Sequence, residues 1–237
     1  MYYINLPDNK SLMWYLAAEE YYAHHLVSIL AEEHATEECA IFFTWIVPPT
    51  VIFGRHQVME NEVNVDFCKK HGIAICQRKS GGGCVYSDQG NLMISYISAN
   101  KHSQLVFQKY LDLLSLFLQS IGYDAVKSTH NDIMVGKYKV SGNACFTLPE
   151  ATIVHGTLMY DVDFEMLQHA ITPSGEKLAK HGVDSVRQRV ANLKNLPHSH
   201  MLESIDGLRD AIISAWMKGI YDVSDEDIRA IDQIVKN

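Results

Sequence analysis

No apolar stretch approaches the roughly 18 residues that span a bilayer, and Met1 to Lys10 lacks the basic start and apolar centre of a secretory leader. Both absences predict a cytoplasmic protein with no membrane partner. The five cysteines, Cys39, Cys68, Cys76, Cys84 and Cys145, form no Cys-x-x-Cys pair and find no His-x-x-x-His partner. That excludes the common zinc patterns and leaves reduced thiols as the expectation. Basic residues are few, 20 against 28 acidic, and the net charge of −8 excludes a general nucleic-acid binder. Internal repeats and low-complexity tracts are missing, as are the Walker pattern and the Gly-x-Gly-x-x-Gly dinucleotide fingerprint. What remains, 47% hydrophobic and 20% charged residues, is ordinary globular composition.

The charge that is present is uneven. Met1 to Glu62 holds two basic and nine acidic side chains, whereas Lys69 to Lys139 holds nine basic and four acidic. A positive centre inside a negative chain suits a small anion.

Apolar residues at helical spacing predict a long helix from Ser11, its N-cap, to about Glu33. Tyr21, Tyr22, His24 and His25 read as its flank. Ala40 to Val47 and Thr50 to Gly54 read as two strands parted by Pro48-Pro49. A short helix from Asn64 to His71, stopped by Gly72, precedes a strand from Ile73 to Gln77. Asn91 to Ser98 alternates as a strand and Gln104 to Ile121 as a helix. Asp132 to Val135, Lys139 to Cys145 and Thr152 to Tyr160 read as strands turning at Gly136 and Pro149. Phe164 to His169, Glu176 to His181, Met201 to Met217 and Asp225 to Lys236 read as helices, linked by Thr172 to Gly175 and Asn195 to His200. The fold class is therefore α/β of the α+β type, a mixed, largely antiparallel sheet flanked by helices. The last 35 residues, with eight acidic and four basic side chains, read as an acidic helical face.

Three segments carry chemistry. Arg78-Lys79-Ser80-Gly81-Gly82-Gly83-Cys84 follows a predicted strand, and its glycines clear side chains from backbone amides while its cations suit phosphate. In the segment from Asn131-Asp132 to Ser141-Gly142, Lys139 lies just past a tight turn, and on a regular strand Lys137 and Lys139 share a face. His155-Gly156-Thr157-Leu158 places a histidine on a strand.

In this order and spacing, these segments, with Gly90-Asn91-Leu92 after Val85-Tyr86, resemble the lipoate-protein ligase A family. Ala18-Glu19-Glu20-Tyr21, Thr50 to Gln57 and Lys177 to Leu193 resemble its first helix, the strand before the glycines and its later helix and loop. The resemblance covers most of residues 11 to 196 and implies the fold of the biotin and lipoate ligase catalytic domain. Bacterial ligases of this family commonly carry an accessory domain after the catalytic one, and the chain's end at Asn237 departs from that. The expectation is therefore a single catalytic domain over 1–237, with a core at 11–196, a helical part at 197–237 and no accessory domain.

The activity implied is two-step: lipoate attacks the α-phosphorus of ATP with Mg2+ present, and a lysine of an acceptor then attacks lipoyl-AMP. The implied catalytic residue is Lys139, holding the lipoyl carbonyl oxygen and the α-phosphate. Arg78, Ser80, Gly81, Gly82, Gly83, Cys84, Val85, Tyr86, Asn131, Asp132, Ser141 and Gly142 would hold ATP or lipoyl-AMP. His155 and Gly156 would shape the acyl pocket, His155 reading equally as a ligand contact or a structural hydrogen bonder. Asp132 is a metal contact only through Mg-ATP. The implied partners are lipoyl domains of 2-oxoacid dehydrogenase E2 subunits or the glycine-cleavage H protein, with a separate accessory subunit as the alternative source of the missing domain.

The chain departs from the family at Gln77-Arg78, where two arginines are frequent, and at Cys84 and Cys145, where alanine and a polar residue are usual. The alternative reading is transfer of a preformed activated acyl group, as lipoyl-AMP or from octanoyl-acyl carrier protein through a cysteine. Pro173-Ser174-Gly175 has serine where one such group has cysteine, and Thr129-His130-Asn131-Asp132 lacks the cysteine of another, which leaves Cys145. A non-catalytic lipoate- or acceptor-binding module is the reading from another class; Lys139 beside Arg78 and the glycines counts against it.

Overall fold

The computed structural model describes residues 1–32, 40–171, 190–197 and 203–236. The expected helix from Glu176 to His181, Pro173-Ser174-Gly175, Cys39 and most of the Lys177 to Leu193 segment lie outside the described residues.

The elements run β1 (Tyr2–Ile4), α1 (Leu12–Glu32), β2 (Ala40–Trp45), β3 (Thr50–Phe53), α2 (Met59–Glu62), α3 (Val65–His71) and β4 (Ala74–Gln77). Next come β5 (Val85–Ser87), β6 (Asn91–Ser98), α4 (Ser103–Ser120), β7 (Ala125–Lys127), β8 (Asp132–Val135), β9 (Tyr138–Thr147), β10 (Thr152–Met159) and α5 (Phe164–Ala170). A 3-10 turn at Leu193–Asn195 leads to α6 (Ile205–Trp216), β11 (Gly219–Tyr221) and α7 (Asp225–Lys236). Eight strands form one sheet in the order β11-β1-β2-β6-β10-β9-β8-β7, and β4-β3-β5 form a second of three. Among the described strands β11-β1-β2 and β3-β4 pair in parallel and the others antiparallel, so the mixed, largely antiparallel α+β architecture is the one the sequence predicts.

Alternation explains the layers. Adjacent strand residues face opposite ways, and Ser95 bonds Trp45 and the α1 residue Glu19, while its neighbour Tyr96 meets Tyr110 of α4. Thus α1 covers one face of β2-β6-β10. Helices α4 and α6 cover the other, where Trp216 meets both Phe42 and Tyr110. With both faces covered, β2, β6 and β10 are buried along their whole lengths. A second cluster, including Val51, Phe53, Tyr86 and Met159, joins the small sheet to the strand end of β10.

Local signals hold where they are strong. Trp14 N donates to Ser11 Oγ (3.3 Å), the expected cap of α1. Asn64 Oδ1 accepts from Phe67 N at the start of α3, and Gly72 closes that helix at φ 66°. Other residues behave differently from their sequence reading. Tyr22 is a core residue with no exposed surface rather than part of the helix flank. The C-terminal helix is not simply an acidic solvent face: Asp227 is buried and accepts from Tyr21 Oη (2.6 Å), while Asp232 accepts from Trp14 Nε1 (2.8 Å). The region after 197 also contributes a strand, β11, to the main sheet.

Candidate active site

The site lies where the ends of α1, β2, β3 and the glycine loop meet β8, β9 and β10. There a cavity of about 530 Å³ is lined by polar and apolar residues together. Its polar lining includes Arg78, Asn131, Asp132 and Lys139 beside Gly82 and Gly83, and its apolar lining includes Leu12, Leu16, Trp45, Ile52, Val85 and Met93. That is a space for an anion joined to an apolar chain. Among the described residues no three His, Cys, Asp or Glu side chains converge as a metal cage, and no helix is long and apolar enough to cross a membrane.

Lys139 is positioned by a bulge. Strands β8 and β9 pair Met134 with Lys139 but Ile133 with Ser141, so Val140 is extra and the alternation shifts. Val140 and Ser141 are both buried, and Lys139 turns to Asp132 on the partner strand, Nζ to Oδ1 2.8 Å. Its side chain is 33% exposed and that of Asp132 21%, so the pair is held at the cavity without being sealed off. Lys137 does not share this face: it sits in the two-residue turn after Val135, with its ammonium over the Tyr138 ring. From across the site, Ala191 N donates to the Lys139 carbonyl (3.1 Å), pairing that strand with residues just after the second undescribed stretch.

Asn131 takes φ 65°, a left-handed conformation that asparagine tolerates better than most residues, and this turns the chain into β8. Its carbonyl accepts from Asn143 Nδ2 (3.0 Å), and Asn143 Oδ1 accepts from Ser141 Oγ (3.2 Å). Gly142 N donates to Thr157 Oγ1 (3.2 Å). These contacts tie the Asp132 strand to β9 and β10.

In the glycine loop the guanidinium of Arg78 is turned onto the loop itself. Nε donates to Ser80 Oγ (3.0 Å), Nη1 to the Ile52 carbonyl (3.1 Å), and Nη2 to the carbonyls of Gly81 (2.8 Å) and Gly83 (2.7 Å). Burial lowers its pKa, and the Cys84 side chain acts weakly the other way. Arg78 thus borders the cavity but spends its hydrogen bonds on organising the loop. Gly82, at φ 97°, occupies a conformation that a side chain would strain, and an added Cβ would lie 2.9 Å from Arg78 Nη2.

Beneath the loop runs a buried polar chain that sequence reasoning missed. Ser80 Oγ lies 2.7 Å from His155 Nε2, and His155 Nδ1 lies 3.0 Å from Glu19 Oε2. Ser95 Oγ donates to Glu19 Oε1 (2.7 Å), and Trp45 Nε1 donates to Ser95 Oγ (2.8 Å). Glu19, Ser80 and Ser95 have no exposed surface. The order Ser80–His155–Glu19 is that of a nucleophilic triad, but Ser80 is walled off from solvent and accepts from Arg78 Nε, so it is not placed to attack a substrate. A sequence signal for Glu19 does exist: it shares its helix stripe with Tyr15, Ala23 and Leu26, all buried, so a carboxylate there needs a partner.

The structure therefore brings Arg78, Gly82, Gly83, Cys84, Val85, Asn131, Asp132, Lys139, Gly142, His155 and Gly156 to one cavity. Ser80 and Ser141 are buried and, with Gly81, lie outside its lining, and Tyr86 packs in the core of the small sheet. Burial raises the thiols of Cys68, Cys76 and Cys145, which keeps Cys145 protonated at neutral pH and a poor nucleophile.

Comparison with known proteins shows the family of the chain. The chain is 34% identical over 224 residues to lipoate–protein ligase 1 of Staphylococcus aureus, covering 92% of this chain and 65% of that protein. It spans under two thirds of the length of the first curated relatives it matches. A bi-partite archaeal lipoate protein ligase from Thermoplasma acidophilum, solved with its E2 lipoyl domain, shares the fold at a TM-score of 0.79 and 22% identity, with 100% of this chain and 92% of that chain covered. A lipoate-protein ligase A bound with ATP does so at 0.78 and 23%, with coverage of 100% and 94%. The model of the lipoyl protein ligase A/B catalytic domain matches residues 16–217, and the chain belongs to that family.

Proposed function

We propose that this chain catalyses lipoate–protein ligation, activating lipoate with ATP to lipoyl-AMP and passing the lipoyl group to a lysine of a lipoyl domain. The observation that carries the reading is the single cavity lined both by a lysine–aspartate pair with the glycine loop and by a set of apolar side chains.

In the first step a lipoate carboxylate oxygen bonds the α-phosphorus and pyrophosphate leaves. The Lys139 ammonium would lie between the carbonyl oxygen and the α-phosphate, where negative charge builds up, held there beforehand by Asp132. In the second step the acceptor amine attacks the carbonyl carbon, an amide forms, AMP leaves, and the amine gives up a proton. Neither step needs a protein nucleophile, which fits the burial of Ser80 and the raised thiol of Cys145. The apolar side chains of Leu16, Trp45, Ile52 and Met93 would take the acyl chain, and Gly82, Gly83 and Asn131 the nucleotide. Among the described residues Asp132 is the one carboxylate lining the cavity, a donor set suited to Mg2+ carried by the nucleotide phosphates rather than to a protein-held ion.

The main core joins the sheet to Leu208, Ile212, Trp216 and Ile231, which supports reading the described residues as one catalytic domain. The acceptor is a lipoyl domain, of an E2 subunit or the H protein, and the setting is cytoplasmic. The test is intact mass of a purified E2 lipoyl domain after incubation with the protein, Mg2+, ATP and lipoate, beside a second tube with synthetic lipoyl-adenylate. Mass gain in both tubes is expected. Gain only with the adenylate would restrict the activity to transfer, and gain in neither would refute the proposal.

A further inference from the structure

The buried chain beneath the glycine loop has one proton order that satisfies all its members. Trp45 Nε1 and Arg78 Nε can only donate, and an ionised Glu19 carboxylate can only accept. Trp45 donates to Ser95, and the Ser95 hydroxyl donates to Glu19 Oε1. From the other end, Arg78 donates to Ser80 Oγ. With His155 neutral and its proton on Nδ1, that proton goes to Glu19, and Nε2 accepts the Ser80 hydroxyl hydrogen. The opposite tautomer sets a lone pair on Nδ1 against the carboxylate. It also aims Nε2–H at an oxygen already taken by Arg78, so the Ser80 hydrogen loses its acceptor in the chain. Unpaired buried polar groups are costly, so the carboxylate selects the tautomer.

The consequence reaches the loop. Arg78 Nε also points to the Gly81 carbonyl (3.3 Å), while Nη2 holds the carbonyls of Gly81 and Gly83. Holding these oxygens on a buried guanidinium fixes the course of the loop past Gly82 and Gly83, which line the cavity. Glu19 itself does not line that cavity.

We propose that Glu19 is a positioning residue for the glycine loop, acting through the His155 tautomer and Ser80 to hold Arg78 against the loop carbonyls. The inference rests on the ATP-and-lipoate reading of the cavity. It assigns the first helix a part in nucleotide binding that Glu19 performs without touching the nucleotide.

The test uses the full chain and two ligands, Mg-ATP and lipoate, titrated separately by calorimetry. Glu19→Gln and Ser80→Ala are each expected to weaken Mg-ATP binding about tenfold, the size of one lost charged hydrogen bond. Lipoate binding should weaken less than Mg-ATP binding, because the relay reaches the acyl side only at His155. The double variant should bind Mg-ATP no worse than the weaker single, because both changes break the same relay. Additive losses, equal weakening of both ligands, or unchanged Mg-ATP binding would overturn the proposal. Nitrogen-15 NMR of the wild-type His155 ring, assigned by its absence in His155→Gln, gives a readout that needs no variant to bind. A proton on Nδ1 and a bare Nε2 are expected; a proton on Nε2 overturns the relay even if the variants unfold. Failure of wild type to bind Mg-ATP would defeat the functional reading instead, and the tautomer would still decide the relay.

Discussion

Replacing Gly156 by alanine adds a methyl group where the structure has no space. An added Cβ would lie 1.9 Å from Asn143 Oδ1 and 2.8 Å from Tyr110 Oη. The backbone has little freedom to retreat, because β10 is paired on both sides, Gly156 opposite Ile94 and opposite Asn143. Tyr110 has no exposed surface, so its ring is hemmed in as well. The relief lies in rotating Asn143, which gives up its bond to the Asn131 carbonyl and the one it accepts from Ser141. Two hydrogen bonds at about 1 kcal/mol each and an overpacking cost of about 1 kcal/mol or more make a destabilisation of about 3 kcal/mol. At about 2–4 °C per kcal/mol for a chain of this size, the melting temperature falls by about 6–12 °C. The same rotation frees the Asn131 turn that delivers Asp132 and Lys139, so acceptor labelling by the folded variant slows as well. Scanning calorimetry and the mass assay read the two effects. Melting within 2 °C of wild type, with unchanged labelling, would refute the packing argument.

Three further outcomes follow from single contacts. Gly82→Ala strains a left-handed residue and presses on Arg78; strain of about 1–2 kcal/mol weakens Mg-ATP binding by about tenfold in a filter or calorimetric assay, and unchanged affinity would contradict it. Asp227→Ala leaves Tyr21 Oη, Ser224 N and Ser224 Oγ without their acceptor. It destabilises by about 1–3 kcal/mol, read as a lower denaturant midpoint, with no change in ligand affinity. Burial raises the Cys145 thiol above its ordinary value, so the reactive thiolate is scarce at pH 7 and grows only as pH rises through that raised value. Peptide mapping after iodoacetamide at pH 7 should find Cys145 largely unmodified, and Cys145→Ala should label acceptor normally; abolished transfer in Cys145→Ala would restore the thioester reading.

Much of the site was legible because its residues are local in sequence. Gly81 to Gly83, Asn131-Asp132, Lys139 and His155-Gly156 sit in short segments whose composition announces turns and strand ends, and all three segments meet at the cavity. The long strands and helices were legible for the same reason, each having a clear period. The rest depends on contacts that composition does not carry. Glu19 meets His155 across 136 positions, and the inward turn of Arg78 depends on where Ile52 and Ser80 end up. The bulge at Val140 changes which residues share a face with Lys139, and a two-period pattern is blind to one extra residue. Strands β1, β7 and β11 have three residues each, too short for a pattern, and exist because the neighbouring strand offers open hydrogen-bonding groups. The apolar lining draws on α1, β2, β3 and β6, so only the folded chain brings Leu16, Trp45, Ile52 and Met93 together.

The central claim is that the Lys139 ammonium stabilises the charge of the reacting carboxyl and phosphate groups. Its most direct test is the rate of lipoyl-domain mass gain for Lys139→Ala against wild type, with Mg2+, ATP and lipoate saturating. Loss of one such preorganised group predicts a fall of about 10²–10³-fold. The partly exposed pair with Asp132 contributes at most about 1 kcal/mol to stability, so melting should move by no more than about 4 °C. A variant that labels its acceptor at the wild-type rate would contradict the account.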